Sequence, residues 1–206
     1  MEMGLADIAL ILLITVGPIK AAIVMGNIVQ GADPALRRAI ALRAVLVAAI
    51  VALVFVLFGE ILLGIFHVSL PALKLAGGLI LTIFALNMIF GGSDSHGTPA
   101  APTMALAVFP LAVPLIATPQ GLVAIVAITA AAPDFKFVMI IAAIVLAIMA
   151  FNAVFLVMAD KIIKLLGPAV LQVVAKVFGV LLTGLAMQLF ILGLQDLGLI
   201  SLEVGH

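Results

Sequence analysis

The segment Phe109-Pro110-Leu111-Ala112-Val113-Pro114-Leu115-Ile116-Ala117-Thr118-Pro119-Gln120-Gly121 constrains this chain more than any other. Its three prolines lie four or five residues apart in an otherwise apolar run. Proline lacks the backbone donor and clashes with the carbonyl four residues back, so these three cannot share one regular helix. At membrane depth, irregular backbone must be buried in protein or line a wet cavity. The expected form is a discontinuous membrane helix with Thr118 and Gln120 at its break. Thr15-Val16-Gly17-Pro18 is a weaker version of the same feature in the first half.

The membrane setting follows from composition. Of 206 residues, 67% are hydrophobic and only 9% charged, and the mean hydropathy is +1.52. A soluble domain has about a quarter charged residues. Nine basic and nine acidic residues cancel, so there is no basic field for nucleic acid. Glu2 and Asp7 stand where a signal peptide would be basic, which argues against a cleavable leader. The absence of cysteine rules out disulfides, thiolate metal sites and thiol chemistry.

A spanning helix needs roughly 20 apolar residues. Six segments qualify, at about Leu5–Gln30, Ala39–Phe66, Pro71–Phe90, Met104–Ala131, Phe137–Met158 and Val170–Leu194. Gly91–Thr103 is rich in Gly, Ser and Pro and reads as a flexible linker; Ser201–His206 reads as a disordered tail. The division is therefore 1–92, a linker 93–103, and 104–206. At one ungapped offset of 101 residues, Pro18 falls on Pro119, Asp33 on Asp134, Gly78 on Gly179, Thr82 on Thr183, Asn87 on Gln188 and Gly92 on Gly193. Each half holds three spans, an odd number, so two halves folded alike must be upside down relative to one another. The expected fold is all-α: six transmembrane helices in two inverted three-helix repeats, the first and fourth helices broken, with a site near the midplane between them. Basic residues set the orientation. Arg37, Arg38, Arg43, Lys161 and Lys164 lie on one face against Lys74 and Lys136 on the other, which places both termini outside.

Phe109–Gly121 resembles the FPLAxPLIAGP signature of the MarC family, which includes SnatA-type neutral amino acid transporters. Leu36–Ala44, Leu75–Leu81 and Asn87–Gly91 are similar to that family as well, so the resemblance covers nearly the whole chain. It implies six spans in two repeats of three, and cation-coupled carriage of glycine, alanine and other neutral amino acids. The chain departs from the family at the expected site. Gly17 stands where the family usually has Asn or Asp before the first proline, Lys20 where it often has a small polar residue, and Thr118-Pro119-Gln120 where it has Gly-Pro-Gly.

The residues in turn nominate a site. Thr15, Gly17, Pro18, Thr118, Pro119 and Gln120 sit at the two breaks. There, hydroxyl and amide groups and half-helix N-termini suit the amino and carboxylate groups of a small zwitterion. Thr back-bonding to the preceding turn is the plainer reading. Lys20, deep in an apolar helix, either snorkels or holds a carboxylate or replaces a coupling cation such as Na+ or H+. Asn87 and Gln188 join the candidates because the repeat pairs them, although interhelical hydrogen bonding explains them equally; Asn27 and Asn152 read the same way. Gly77, Gly78 and Gly179 read as sites of close helix approach, and Asp33 and Asp134 as caps.

The expected function is a secondary transporter or exporter of small neutral amino acids in a prokaryotic plasma membrane. No cofactor, metal or nucleic acid is expected, and homo-oligomerisation is left open. No nucleotide-binding loop is present to drive a pump. A membrane thiol oxidoreductase is excluded by the missing cysteines, which leaves a passive channel or scaffold as the alternative.

Overall fold

The computed structural model describes the backbone of residues 4–29, 31–90 and 102–200. The side chains of Ile19, Lys20, Asn27, 159–169, 171, 172, 174 and 175 fall outside the described set, as do the expected linker up to residue 101 and the tail from Ser201. Every regular element among the described residues is helical. Helices α1 (Leu5–Val16) and α2 (Pro18–Ile28) are separated by Gly17 alone, whose backbone is extended (φ −74°, ψ 165°). They are followed by α3 (Pro34–Ile65) and α4 (Leu70–Phe90). The proline segment Ala107–Ile116 then leads into α5 (Pro119–Ala130) at an angle of 54°. Helix α6 runs from Phe135 to Asp196. Among the described residues five helical stretches are long and apolar enough to cross a membrane, and the bent pair makes a sixth if counted as one span.

The proline segment is wound with wide turns: the N–H of Ala117 reaches five residues back to Ala112 O, at 2.8 Å. Inside it, Phe109 and Val113 are extended, both at φ −130°. Each precedes a proline, whose ring excludes the helical region for the residue before it. Pro18, Pro34 and Pro119 instead begin α2, α3 and α5, where the missing N–H costs nothing.

One boundary differs from the sequence expectation. The ranges Phe137–Met158 and Val170–Leu194 imply a connection between the fifth and sixth spans; the backbone is helical throughout. Lys161, Lys164, Leu165 and Leu166 are good helix formers, and no Gly or Pro interrupts the chain before Gly167. Helix α6 still cannot be one span, since 62 residues would reach about 93 Å if straight. Phe155 and Phe178 border one cavity, whereas 23 residues of straight helix would hold them about 35 Å apart. The chain therefore folds back, giving a first span Phe135–Met158 and a second span Lys176–Asp196.

Helix–helix contacts rest on small residues, as expected where lipid removes the hydrophobic drive between helices. The buried face of α3 is Ile40, Ala41, Ala44, Val45, Ala48, Ala52, Val56 and Gly59. Helix α4 packs antiparallel to the second span of α6. A Cβ at Gly78 would lie 2.8 Å from Ala186 O, one at Gly179 would lie 3.3 Å from Ala85 O, and one at Gly193 would lie 3.0 Å from Pro71 O. Lys74 pairs with Asp196 at the end of this seam, Nζ to Oδ2 2.5 Å. Lys74 is thus half of an ion pair as well as a topology residue.

Residues paired by the 101-residue offset have matching local structure. Asp33 and Asp134 cap α3 and α6, accepting from Leu36 N at 2.9 Å and Phe137 N at 2.8 Å. Thr82 and Thr183 donate to Gly78 O and Gly179 O at 2.8 and 2.9 Å.

Candidate functional site

Among the described residues three polar side chains are buried: Thr15, Thr118 and Asn152. All three meet where the helices are interrupted. Thr15 lies in the last turn of α1, and its hydroxyl donates to Ile11 O at 2.8 Å and to Leu12 O at 3.3 Å. Thr118 is the N-cap of α5 and is used twice. Its oxygen accepts from Gly121 N at 3.0 Å, and its hydroxyl donates across the halves to Thr15 O at 2.9 Å. Asn152, from the first span of α6, donates through Nδ2 to Val16 O and to Ile148 O, both at 3.0 Å.

The interruption explains why these partners are needed. In a continuous helix, Thr15 O and Val16 O would accept from the N–H groups four residues on. Gly17 and Pro18 break that ladder and leave the carbonyls at the end of α1 to find other donors. Thr118 and Asn152 supply them from two different helices. Gly121 lets α5 approach: a Cβ there would sit 2.5 Å from Val16 Cγ2. At Gly17 a Cβ would sit 2.1 Å from Leu13 O, so the position has no room for a side chain. Against Pro119, Gly77 closes the other side, its Cβ position 2.8 Å from Pro119 Cβ.

The structure thus brings together Thr15, Gly17, Pro18, Thr118 and Pro119. Gln120 is half-buried in the first turn of α5. Asn87 and Gln188 are exposed on α4 and on the second span of α6, and the structure does not bring them to the interruptions. Lys20 is in the first turn of α2, with its side chain outside the described residues.

A cavity of about 510 Å³ lies beside the first interruption. Gly17 and Pro18 form one wall; Phe151, Phe155, Phe178 and Leu185 form much of the rest. All the lining residues are apolar, and Ile14 at its edge is 67% exposed. It is an apolar recess, and among the described residues it offers no polar side chain to a zwitterion.

The profile of the MarC family integral membrane protein matches residues 4–197. The chain belongs to the MarC family. Among MarC relatives, the UPF0056 membrane protein MJ1677 of Methanocaldococcus jannaschii is 30% identical over 166 residues, covering 77% of this chain and 80% of the relative. The UPF0056 inner membrane protein YhgN of Escherichia coli is 28% identical over 191 residues, 91% of this chain and 94% of the relative. The UPF0056 membrane protein PH0214 of Pyrococcus horikoshii is 30% identical over 157 residues, 76% of each. No solved structure matches the chain.

The MarC signature Phe109–Gly121 therefore has a physical role in this chain. Its prolines end one helical stretch and begin α5, and its Thr118 and Gly121 fasten α5 to the end of α1. Two members of the site were not placed there from sequence. In the sequence Gly121 is only the last residue of the signature, and Asn152 reads as an ordinary interhelical contact. No sequence signal separates Asn152 from Asn87 and Gln188, amides in apolar spans that are exposed.

Proposed function

We propose that this protein is a secondary transporter of small neutral amino acids in the prokaryotic plasma membrane. It works by alternating access, with its solute site at the paired interruptions between Val16 and Pro18 and between Ile116 and Pro119. One observation carries the reading: the three buried polar side chains among the described residues all converge on that junction. Polar groups inside a span are costly and mark solute or ion pathways.

An inverted-repeat architecture is supported by the reciprocity of the α4 seam. Gly78 meets Ala186, and their counterparts at the 101-residue offset, Gly179 and Ala85, meet in the same way. Contacts exchanged between i and j are the mark of a two-fold relation. For antiparallel helices along the membrane normal, that axis lies in the membrane plane, as in many secondary transporters. The basic bias puts the Arg37–Arg38 face in the cytoplasm and both termini outside.

The test is flux of labelled L-alanine and glycine in proteoliposomes, with and without sodium and pH gradients. Gradient-driven accumulation is expected. Equal flux without any gradient would instead mean a channel, and no flux a scaffold. Lys20→Met removes a charge from an otherwise apolar stretch of α2; transport is expected to fall at least tenfold while the protein still folds.

A further inference from the structure

Among the described residues one buried polar side-chain atom has no partner. Asn152 is 0% exposed, and its Oδ1 accepts no hydrogen bond. The amide orientation is fixed by the other end of the group. Nδ2 carries two hydrogens, and both are used, on Val16 O and Ile148 O. Flipping the amide would set Oδ1 against two carbonyl oxygens. Oδ1 therefore stays one amide's width from the Nδ2 that bonds Val16 O at the end of α1, and it retains the desolvation penalty of an unmet acceptor.

The second feature is the start of α2. Its N-cap is Gly17, which provides no side-chain cap. The matching helix α5 has Thr118, whose oxygen takes up Gly121 N. The two interruptions are thus unequal. The one at α5 is filled by Thr118 and closed by Gly77 against Pro119. The one at α2 has an uncapped helix N-terminus two residues from a carbonyl that Asn152 holds, with an unpartnered acceptor beside it.

We propose that Asn152 and the first turn of α2 form the binding site for the head group of an α-amino acid. Oδ1 of Asn152 accepts from the ammonium, and the first-turn amides and positive dipole end of α2 receive the carboxylate. This deepens the transport reading and rests on it. It locates the head group at the first interruption alone and makes Asn152 the residue that selects for the amine. A neutral acceptor suits a cation that must later leave: a charge-assisted bond is stronger than a neutral one but falls short of a buried ion pair. The α5 interruption then acts as the fixed support against which the first is held.

The experiment compares L-alanine with propionate, which has the same carbon skeleton without the amine. Binding is read by thermal shift of the full-length purified protein in nanodiscs. Wild type is expected to bind alanine at least about tenfold more tightly than propionate, the worth of one charge-assisted hydrogen bond. Asn152→Leu is expected to weaken alanine by about that factor and leave propionate within twofold, so that the preference disappears. Should Asn152→Leu fail to fold, Asn152→Ser withdraws the oxygen from its place and is read in the same way. A preference for alanine that survives in Asn152→Leu, or an equal loss for both probes, overturns the proposal and leaves Asn152 a clamp on Val16; transport by the wild type can still stand. Wild type that neither binds nor moves alanine overturns both this assignment and the transport reading.

Discussion

Replacing Thr118 by valine tests the junction with the least change of shape. The side chain is 2% exposed, so no water replaces what the hydroxyl provides. Two bonds are lost. The N-cap bond from Gly121 N, at 3.0 Å, is worth about 1 kcal/mol. The bond to Thr15 O, at 2.9 Å, joins two helices inside the membrane, where such bonds average about 0.6 kcal/mol and reach about 1.7. The expected loss is about 2 kcal/mol for Thr118→Val. Thr118→Ser keeps the hydroxyl and is expected to stay within about 1 kcal/mol of wild type, the lost methyl being the only deletion. Equilibrium unfolding in mixed micelles of a mild detergent and SDS reads both. If the valine variant unfolds at the wild-type midpoint, or serine is as damaging as valine, the hydroxyl does not hold the two halves together and the site as described is wrong.

Two further outcomes follow from the geometry. Gly17→Ala places a Cβ 2.1 Å from the Leu13 carbonyl oxygen, which no rotamer relieves, whereas Gly184→Ala meets nothing within 4 Å. Thermal melts are expected to show a loss of more than about 2 kcal/mol for the first and a gain of a few tenths for the second; equal effects would refute the close approach at Gly17. For topology, the cysteine-free chain allows single-site labelling in intact cells. Ala35→Cys is expected to be protected from an impermeant maleimide and Ser69→Cys to react; labelling of both from one side would break the proposed orientation.

Proline and hydropathy made the spans and their interruptions legible from the residues alone. Proline acts through local sterics, so Pro18 and Pro119 mark helix starts whatever surrounds them. Asp33 and Asp134 were legible as caps for the same reason. The faces of the helices were not legible. In a bilayer both the buried and the lipid-facing sides of a helix are apolar, so periodicity does not say which way a polar residue points. Asn87 and Gln188, paired by the repeat, turn outward, while Asn152, whose counterpart at the offset is Val51, turns to the junction. Nor did sequence show that Lys74 has a partner, because Asp196 lies 122 residues away.

The same asymmetry decides which contact can move under the proposed alternating access. At the 101-residue offset Gly77 corresponds to Phe178, and Pro119 to Pro18. Gly77 admits Pro119 to close packing, while Phe178 and Pro18 border a cavity of about 510 Å³. Parting Gly77 from Pro119 would forfeit dense packing and strain the Thr118 bonds, a cost of a few kcal/mol. Shifting α2 against the second span of α6 loses little, because the space beside it is already open. A phenyl ring at 178 cannot reproduce the contact that a glycine makes at 77, so the two halves cannot simply trade conformations. Movement is therefore expected at the Gly17 interruption, with the α5 junction as its fixed support, and the open end of α2 lies on the side that moves.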